Sequence, residues 1–495
     1  MDEFRIGSYA PEPLIFEQSG EGKAGVYVPD SDVPPVAPTE AIPAALLRRK
    51  EDALPFPEVG EFEVVRHFTR LGSRLFGVDA NFYPLGSCTM KYNPKINELA
   101  AAMPGFAGLH PYQPVEQTQG ILELLYHLRV FLAEIAGLAE VTLQPAAGAH
   151  GEMTGLMLID AYHRSRGEDR PDVLAPSTAH GTNPASCAMC GRGLVTISVR
   201  DDGLLDLDHL RANVNERTSA LMLTNPNTAG LFDPQMKQIA DVLHSKGAQL
   251  YMDGANMNAM LGIARPGQFG VDVMHYNTHK TFSTPHGGGG PGSGPVAVAE
   301  HLRPFLPVPQ VVCLEDGTYA WSDERPKTIG KVRSFYGQIG VLVRAYTYIR
   351  GLGPDGLRDL SEKAVLAANY LAARLAKHYH LPYKGPFAHE FILVPQFSEQ
   401  GVTELDVAKR LLDYGFHPPT MSWPIMHCLM IEPTESESLA TLDFFAEAMI
   451  RIAGEAAETP HLLHQAPHTT PVRRVDVVNA DRKPNHRWRP EGESA

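Results

Sequence analysis

Cysteine is scarce in this sequence, and the scarcity excludes a disulfide framework. The chain has 495 residues, and its five cysteines are widely scattered. Cys187 and Cys190 form a C-x-x-C pair, but no second pair and no H-x-x-x-H sequence accompanies it. We therefore expect packed thiols, no metal site and a reducing compartment.

Long apolar runs and an excess of positive charge are also missing. No apolar run approaches the roughly 18–20 residues of a membrane-spanning helix, and the formal net charge is −14. An acidic chain gives no reason to expect a nucleic-acid or anionic-membrane surface. The N-terminus is acidic from Asp2 and lacks the marks of a secretory signal or transit peptide, so we expect a cytoplasmic protein.

Proline density and periodicity divide the chain into four regions. Residues 1–70 are rich in proline, and we interpret them as an arm that wraps a partner chain or packs on its own chain. Residues 71–335 alternate strand and helix patterns. Residues 336–458 read as a smaller α+β domain that begins with two helices, Gln338–Arg350 and Leu360–His378. Residues 459–495 form a locally basic tail.

The large region predicts an α/β fold with a mostly parallel sheet. Its helices include Asp233–Lys246, which ends before Gly247 as a helix commonly does. In such sheets, ligands gather at the carboxyl ends of the strands. The predicted strands are Asp172–Ala175, Leu194–Val199, Ala220–Thr224, Gln249–Asp253, Val271–His275 and Pro295–Ala299.

A lysine and an acid stand at two neighbouring strand ends. Lys280 follows the strand Val271–His275 and precedes the glycine run 287–290, and Asp253 ends the strand before it. Alone, Lys280 is typical of a surface residue and Asp253 of a helix cap. Together they fit pyridoxal phosphate (PLP), because a lysine forms its imine and an acid pairs with its pyridine nitrogen.

Small residues at the start of another predicted helix fit the phosphate of that cofactor. Ala147 and Gly148 would expose backbone N–H groups and the positive end of the helix dipole to an anion. Thr278 and His279 can add side-chain donors. Small residues also occur in tight turns, so Ala147 and Gly148 indicate a phosphate site only in combination with the other candidate residues at successive strand ends.

Three further residues complete the predicted cofactor site. His180 is the expected stacking group on the ring, with His150 as the competing choice inside the first turn of the helix. Asn225 either donates to the ring hydroxyl or is a turn asparagine before proline. Ala255 leaves space beside the ring face. The order of these residues along successive strand ends is the strong signal.

This order resembles that of the fold-type-I (aspartate-aminotransferase-like) PLP enzymes, which implies a large, mostly parallel sheet domain and a smaller C-terminal α+β domain. The amino-acid sequences of the motifs are similar to those of the glycine decarboxylase (P-protein) family of the glycine cleavage system, over residues 65 to 490. The motifs that carry the resemblance are Tyr83–Lys91, Ala179–Ser186, Asp253–Ala259, His279–Phe282, Pro285–Gly292, Pro418–Pro424 and Glu432–Ser436.

The resemblance implies PLP-dependent decarboxylation of glycine and transfer of the aminomethyl group to the lipoyl arm of H-protein. Some P-proteins are single chains of about twice this length, and this chain resembles their C-terminal half. It therefore resembles subunit 2 of the two-subunit bacterial type, with a homologous subunit 1 as the partner in an α2β2 assembly. The resemblance also implies Lys280 as a proton shuttle and Tyr83 and His110 as loop residues that face the substrate.

Two other functions are compatible with parts of the pattern. The sequence Thr278-His279-Lys280-Thr281 also suits serine hydroxymethyltransferase or another fold-type-I amino-acid enzyme, but the glycine run and the segment Thr420–Pro424 speak against these. A non-catalytic scaffold homologous to the enzyme is the second alternative. The presence of both Lys280 and Asp253 disfavours it.

Overall fold

The computed structural model describes residues 11–47, 56–287 and 292–489. Most of the predicted glycine run, residues 288–290, lies outside the described residues, as do the ends of the predicted arm and tail. The chain divides into two compact units, one of residues 77–465 and one of residues 1–76 with 466–495. The predicted boundary between residues 335 and 336 stays a prediction.

The larger unit contains a seven-stranded sheet with the order β1-β7-β6-β5-β4-β2-β3. Neighbouring strands from β3 to β6 are parallel, and β7 is antiparallel to both β6 and β1. The predicted mostly parallel sheet is thus confirmed. Its strands are β1 (Glu140–Thr142), β2 (Asp172–Pro176), β3 (Gly193–Ile197), β4 (Thr218–Thr224), β5 (Gln249–Gly254), β6 (Val273–Tyr276) and β7 (Val296–Val298).

Helices follow most of these strands, as alternation of the two patterns predicts. The predicted helix over 233–246 is confirmed, although it begins three residues later than expected. The α-helices are α1 (Pro38–Ala41), α2 (Glu61–Gly72), α3 (Lys95–Ala101), α4 (Pro104–Ala107), α5 (Gln119–Ala136), α6 (Gly148–Ser165), α7 (Thr182–Met189), α8 (Leu207–Asn213), α9 (Met236–Ser245), α10 (Thr278–Thr281), α11 (Ile339–Leu375), α12 (Glu404–Asp413), α13 (Leu439–Glu458), α14 (Pro460–Gln465) and α15 (Val477–Arg482).

The two helices predicted after residue 336 form one helical run, α11, with a kink. Gly353 adopts φ 64° and ψ −175° inside it, and Pro354 follows. Glycine tolerates this left-handed φ, and a proline cannot donate to the preceding turn. The sequence therefore placed the interruption correctly.

Two smaller sheets complete the larger unit. The hairpin of β8 (Gln310–Cys313) and β9 (Tyr319–Ser322) is antiparallel, as is the three-stranded sheet of β10 (Phe391–Leu393), β11 (Thr420–Met421) and β12 (Leu429–Ile431). Two apolar clusters pack against the seven-stranded sheet, and a third one packs the three-stranded sheet against α11, α12 and α13. The α+β character predicted for this region is confirmed.

The smaller unit joins the arm to the tail. The ring of Phe16 stacks on that of Trp488 with their centroids 5.0 Å apart, and the guanidinium of Arg70 binds Glu12. Regular structure was not expected in the proline-rich arm, but the proline-free part after Pro57 forms α2. Among the described residues, no helix is long and apolar enough to cross a membrane.

Candidate active site

The carboxyl ends of three central strands lie side by side because of the register of the sheet. Thr224 of β4 is paired with Asp253 of β5, and Asp253 is paired with His275 of β6. A cavity of about 350 Å³ opens at this edge. The predicted site residues that line it are Ala147, Gly148, His180, Asp253, Ala255, His279 and Lys280. One edge of the sheet thus brings together residues spread over more than 130 positions.

Lys280 reaches the cavity from α10, the single turn that follows β6 and Asn277. The neighbouring segment is held from outside the turn. Lys91 Nζ donates to the carbonyl oxygen of Thr281 over 3.0 Å, and Asn93 Nδ2 donates to that of Ser283 over 3.0 Å. The backbone on the C-terminal side of Lys280 is therefore fixed by side chains from a distant part of the chain.

Asp253 is a buried carboxylate directed at the cavity. Its Oδ1 accepts from the backbone N–H of Ala255 over 2.9 Å, and its Oδ2 accepts from Asn183 Nδ2 over 3.3 Å. The ring of His275 lies 3.4 Å away through Nε2. Burial opposes ionisation, but the charges of His275 and Lys280 and these hydrogen bonds lower the pKa of Asp253 below its ordinary value. The carboxylate is thus suited to pair with a cation in the cavity.

The first turn of α6, predicted to bind the phosphate, lies at the cavity. Ala147 is the residue before the helix, and a Cβ on Gly148 would lie 2.2 Å from Asn277 Oδ1. Only glycine allows this close approach of the helix to the segment that carries Lys280. Burial, with the nearby His286 and Lys280, lowers the pKa of His279 to about 3, so its ring is neutral. The described residues supply no hydrogen-bond partner for its buried Nδ1.

His180 and His150 differ in the way the structure places them. His180 is exposed at the mouth of the cavity, and its Nδ1 lies 2.8 Å from Thr182 Oγ1. His150 Nδ1 instead accepts from the backbone N–H of Ala146 over 3.2 Å, and His150 does not line the cavity. Of the two histidines only His180 lines the cavity, and its role as the stacking group stays a prediction.

Asn225 and Thr278 lie buried beside the cavity rather than on its wall. Asn225 Oδ1 accepts from the backbone N–H of Asp233 over 2.9 Å, as a turn asparagine would. Its buried Nδ2 has no partner among the described residues, which leaves a donor available. Thr278 Oγ1 lies 3.5 Å from the carbonyl oxygen of Ser293.

Tyr83 and His110 do not line the cavity. The ring of Tyr83 stacks on that of His417 with a centroid distance of 3.7 Å. His110 makes edge contacts at 5.4 Å with the rings of Tyr112 and Phe335. Their role towards a substrate stays a prediction.

Glu152 and His275 are site residues that the sequence argument did not single out. Glu152 lies in α6, one turn after Gly148, and lines the cavity, with Oε1 2.6 Å from Thr182 Oγ1. His275 connects Asp253 to Tyr251, whose hydroxyl lies 2.6 Å from His275 Nδ1. The signal for His275 was its place in the strand next to Asp253, since residues in register on parallel strands face the same side.

The loop around Cys88 forms another wall that reasoning from the sequence missed. The backbone N–H of Ser87 donates to Glu390 over 2.6 Å, and that of Thr89 donates to Glu432 over 2.8 Å. Ser87 and Thr89 have φ values of 64° and 49°, an unfavourable region for non-glycine residues. Two buried carboxylates therefore hold a strained loop that presents Cys88 to the cavity.

Two sequence models match the chain and together cover most of it. The model described as glycine cleavage system P-protein matches residues 37–317, and the model described as glycine dehydrogenase, C-terminal domain, matches residues 360–469. The chain belongs to the glycine cleavage system P-protein family. The resemblance inferred from the motifs is thus confirmed.

Curated members of this family match the chain over nearly its full length. A probable glycine dehydrogenase (decarboxylating) subunit 2 from Halalkalibacterium halodurans is 56% identical over 96% of this chain and 98% of its own. A protein of the same description from Shouchella clausii is 55% identical over 96% of this chain and 97% of its own. The chain is therefore similar in extent to proteins described as subunit 2 of glycine dehydrogenase (decarboxylating).

Solved structures show the same fold. A glycine decarboxylase (P-protein) in inhibitor-bound form has a TM-score of 0.70 at 22% identity and covers 83% of this chain and 94% of its own. A C-DES variant with glycine covalently linked to its PLP cofactor has a TM-score of 0.59 at 15% identity, over 75% of this chain and 97% of its own. The predicted fold-type-I class is confirmed.

Proposed function

We propose that this chain is the lysine-bearing subunit 2 of a two-subunit glycine decarboxylase that depends on PLP. The single observation that carries the proposal is the meeting of Lys280, Asp253 and the start of α6 on one cavity. Membership of the P-protein family supports glycine as the substrate and points to this reaction over that of serine hydroxymethyltransferase.

The side chains and backbone of the cavity fit PLP. Ala147 and Gly148 line the cavity at the N-terminus of α6, where a phosphate would bind, and the buried Asn225 Nδ2 and His279 Nδ1, which lack protein partners, suit the polar atoms of a ligand. Asp253 lines the cavity, and its lowered pKa favours the carboxylate form, which suits a pyridinium nitrogen. PLP bound to Lys280 would supply an electron sink for the electron pair that remains when the carboxylate of glycine leaves as carbon dioxide.

The residues of this chain would divide the work of the reaction. Lys280 would hold the cofactor, and its amino group, when it is not bound to the cofactor, could move a proton. Asp253 keeps a positive charge opposite itself, and His275 and Asn183 hold the Asp253 carboxylate in place. His180 covers the cavity mouth, and the hydrogen bonds of Lys91 and Asn93 keep the Lys280 segment in place.

The partners we propose are a homologous subunit 1, in an α2β2 assembly, and a lipoylated H-protein that accepts the aminomethyl group. The description of the relatives as subunit 2 supports the first partner. The lipoyl disulfide of H-protein suits the second step, because it accepts the carbon on one sulfur while the other sulfur is reduced.

Exchange of labelled bicarbonate into the carboxyl group of glycine tests this function. The purified chain, loaded with PLP, is assayed alone, with subunit 1, and with subunit 1 and lipoylated H-protein. We expect exchange only with subunit 1 and a strong stimulation by H-protein. Full exchange by the chain alone would contradict the partner proposal, and cleavage of serine without glycine exchange would indicate a hydroxymethyltransferase. Exchange that persists in a complex carrying Lys280→Ala would identify the chain as a scaffold.

A further inference from the structure

Glu152 is the second carboxyl group of the cavity, and a chain of hydrogen bonds connects it to His180. Thr182 Oγ1 lies 2.6 Å from Glu152 Oε1 and 2.8 Å from His180 Nδ1. The backbone N–H of Thr182 also donates to His180 Nδ1, over 3.3 Å. One hydroxyl hydrogen is therefore placed between two possible acceptors.

The positions of the available hydrogens determine which group donates in each of these hydrogen bonds. A backbone N–H can only donate, so His180 Nδ1 accepts and the ring proton of the neutral imidazole is on Nε2. Because Nδ1 carries no hydrogen, the Thr182 hydroxyl supplies the hydrogen of their contact. The short contact between Thr182 Oγ1 and Glu152 Oε1 then needs a hydrogen from the other side. A protonated Glu152 provides it.

The surroundings of Glu152 agree with a neutral carboxyl group. Its side chain is buried, and one donor atom each of Glu152, Asp253 and His275 lie within 4.8 Å of one another. Tyr251 on β5 and Cys187 on α7 are further titratable groups near it. Burial and then the charge of Asp253 raise the pKa of Glu152, while the pKa of Asp253 is lowered. Two neighbouring carboxyl groups with opposite shifts commonly divide into one acid and one carboxylate.

We propose that Glu152 is a positioning residue that holds a proton and, through Thr182, keeps His180 in the Nε2–H tautomer. His180 then presents an N–H donor towards the cavity. Once Glu152 has lost its proton, the Thr182 hydroxyl donates to Glu152 and no longer to His180 Nδ1. The consequence for the reaction rests on the proposed function, in which His180 covers the cofactor. The protonation of Glu152 is independent of the proposed function.

Infrared difference spectroscopy tests the protonation state directly. The full chain is compared with Glu152→Gln at neutral pH, with and without PLP. We expect the substitution to remove the carbonyl band of a protonated carboxyl group, and removal of a carboxylate band would overturn the proposal. Should Glu152→Gln fail to fold, Thr182→Val serves instead, because loss of its hydroxyl moves the frequency of the protonated Glu152. A spectrum with no change in the protonated carboxyl region would then count against it.

Nitrogen NMR of the histidine-labelled chain tests the tautomer, with the His180 signal assigned by its loss in His180→Gln. We expect the Nε2–H form in the unmodified chain and in Glu152→Gln, because the amide of glutamine also donates to Thr182. A predominant Nδ1–H form in the unmodified protein would contradict the proposed direction of the hydrogen bonds between Glu152, Thr182 and His180.

Kinetics with subunit 1 then tests the consequence. Thr182→Val should lower kcat for exchange about fivefold with little change in KM, and Thr182→Ser should restore it. Ser186→Ala is the matched control, because Ser186 Oγ bonds the other oxygen of Glu152 over 3.2 Å and is not part of the chain to His180. Equal losses of kcat in Thr182→Val and Ser186→Ala would refute the proposed role of the hydrogen bonds from Glu152 through Thr182 to His180. A chain without any exchange activity would refute the proposed function, while the infrared and NMR results would still report on Glu152.

Discussion

Lys91 Nζ donates a hydrogen bond of 3.0 Å to the carbonyl oxygen of Thr281, the residue that follows Lys280. The same ammonium group lies 2.5 Å from Glu435 and 3.3 Å from the hydroxyl of Tyr348. Burial disfavours its charge, but Glu435 and Tyr348 more than compensate and raise the pKa of Lys91. A buried cation thus ties the turn that carries Lys280 to two distant parts of the chain.

Replacement of Lys91 by methionine should destabilise the protein strongly. It leaves the nearly buried Glu435 without its counter-charge, and removing one partner of a buried ion pair costs about 3–5 kcal/mol. Urea unfolding followed by circular dichroism measures the change. The control is Lys95→Met, which breaks the exposed pair of Lys95 with Asp79 and should cost less than about 1 kcal/mol. Equal losses of unfolding free energy in the two variants would show that the buried ion pair stabilises the protein no more than the exposed one.

Replacement of Lys280 by alanine should abolish the near-visible absorbance of the protein loaded with PLP. The lysine amino group is the atom that forms the imine, and alanine has no replacement for it. Absorbance spectra of protein loaded with PLP and freed of excess cofactor measure this. Lys377→Ala removes an exposed lysine and should keep the spectrum. An unchanged spectrum in Lys280→Ala would exclude Lys280 as the cofactor lysine.

Replacement of Asp253 by asparagine should leave PLP bound but lower glycine exchange about a hundredfold or more, because the charge that stabilises the cationic ring is lost. Asp272→Asn is a suitable control. Asp272 is also buried next to β6, but it accepts from Leu250 N and His244 away from the cavity. Near-normal exchange in Asp253→Asn would contradict the role proposed for this carboxylate.

A methyl group on Gly148 should weaken cofactor binding. Its Cβ would lie 2.2 Å from Asn277 Oδ1, so the start of α6 or the Lys280 segment must move. We expect Gly148→Ala to raise the dissociation constant of PLP at least about tenfold, as measured by titration of the apoprotein. Gly181→Ala is the control, because nothing lies within 4 Å of a Cβ at that position. Unchanged affinity in Gly148→Ala would remove the start of α6 from the phosphate site.

Two half-buried histidines should make the protein less stable as the pH falls. Burial lowers the pKa of His279 to about 3 and that of His286 to about 4, whereas histidine in the unfolded chain titrates near 6.5. Between pH 6.5 and 4 the unfolded state binds protons that the folded state does not, so stability is present above 6.5 and is lost as the pH falls.

Urea unfolding as a function of pH measures this slope. His279→Gln should reduce it by about 1 kcal/mol per pH unit in that range, because one fewer proton is taken up on unfolding. His378→Gln, which changes an exposed histidine, should leave the slope unchanged. A slope that is the same in both variants would show that folding does not lower the pKa of His279.

The sequence alone predicted the sheet and the residues at its carboxyl edge. Strands were recognisable because buried parallel strands are continuous apolar runs, and their ends were marked by Asp253, His180 and Lys280. The strand β1 was missed, because three residues are too few to show a period. The helix α2 was missed because the prolines before it dominated the interpretation of the whole arm.

Local patterns determined which residues stand at strand ends, since the alternation of apolar and polar residues is read from neighbours in the sequence. Only the tertiary structure decided which residues meet there. Lys91 and Thr281 are separated by 190 residues and Ser87 and Glu390 by 303, so no local pattern connects them. No local pattern predicts the protonation that we propose for Glu152 either, because it depends on the charge of Asp253 and on the direction of the Thr182 hydroxyl group. Such couplings arise from the register of the sheet and from burial, which the folded chain alone provides.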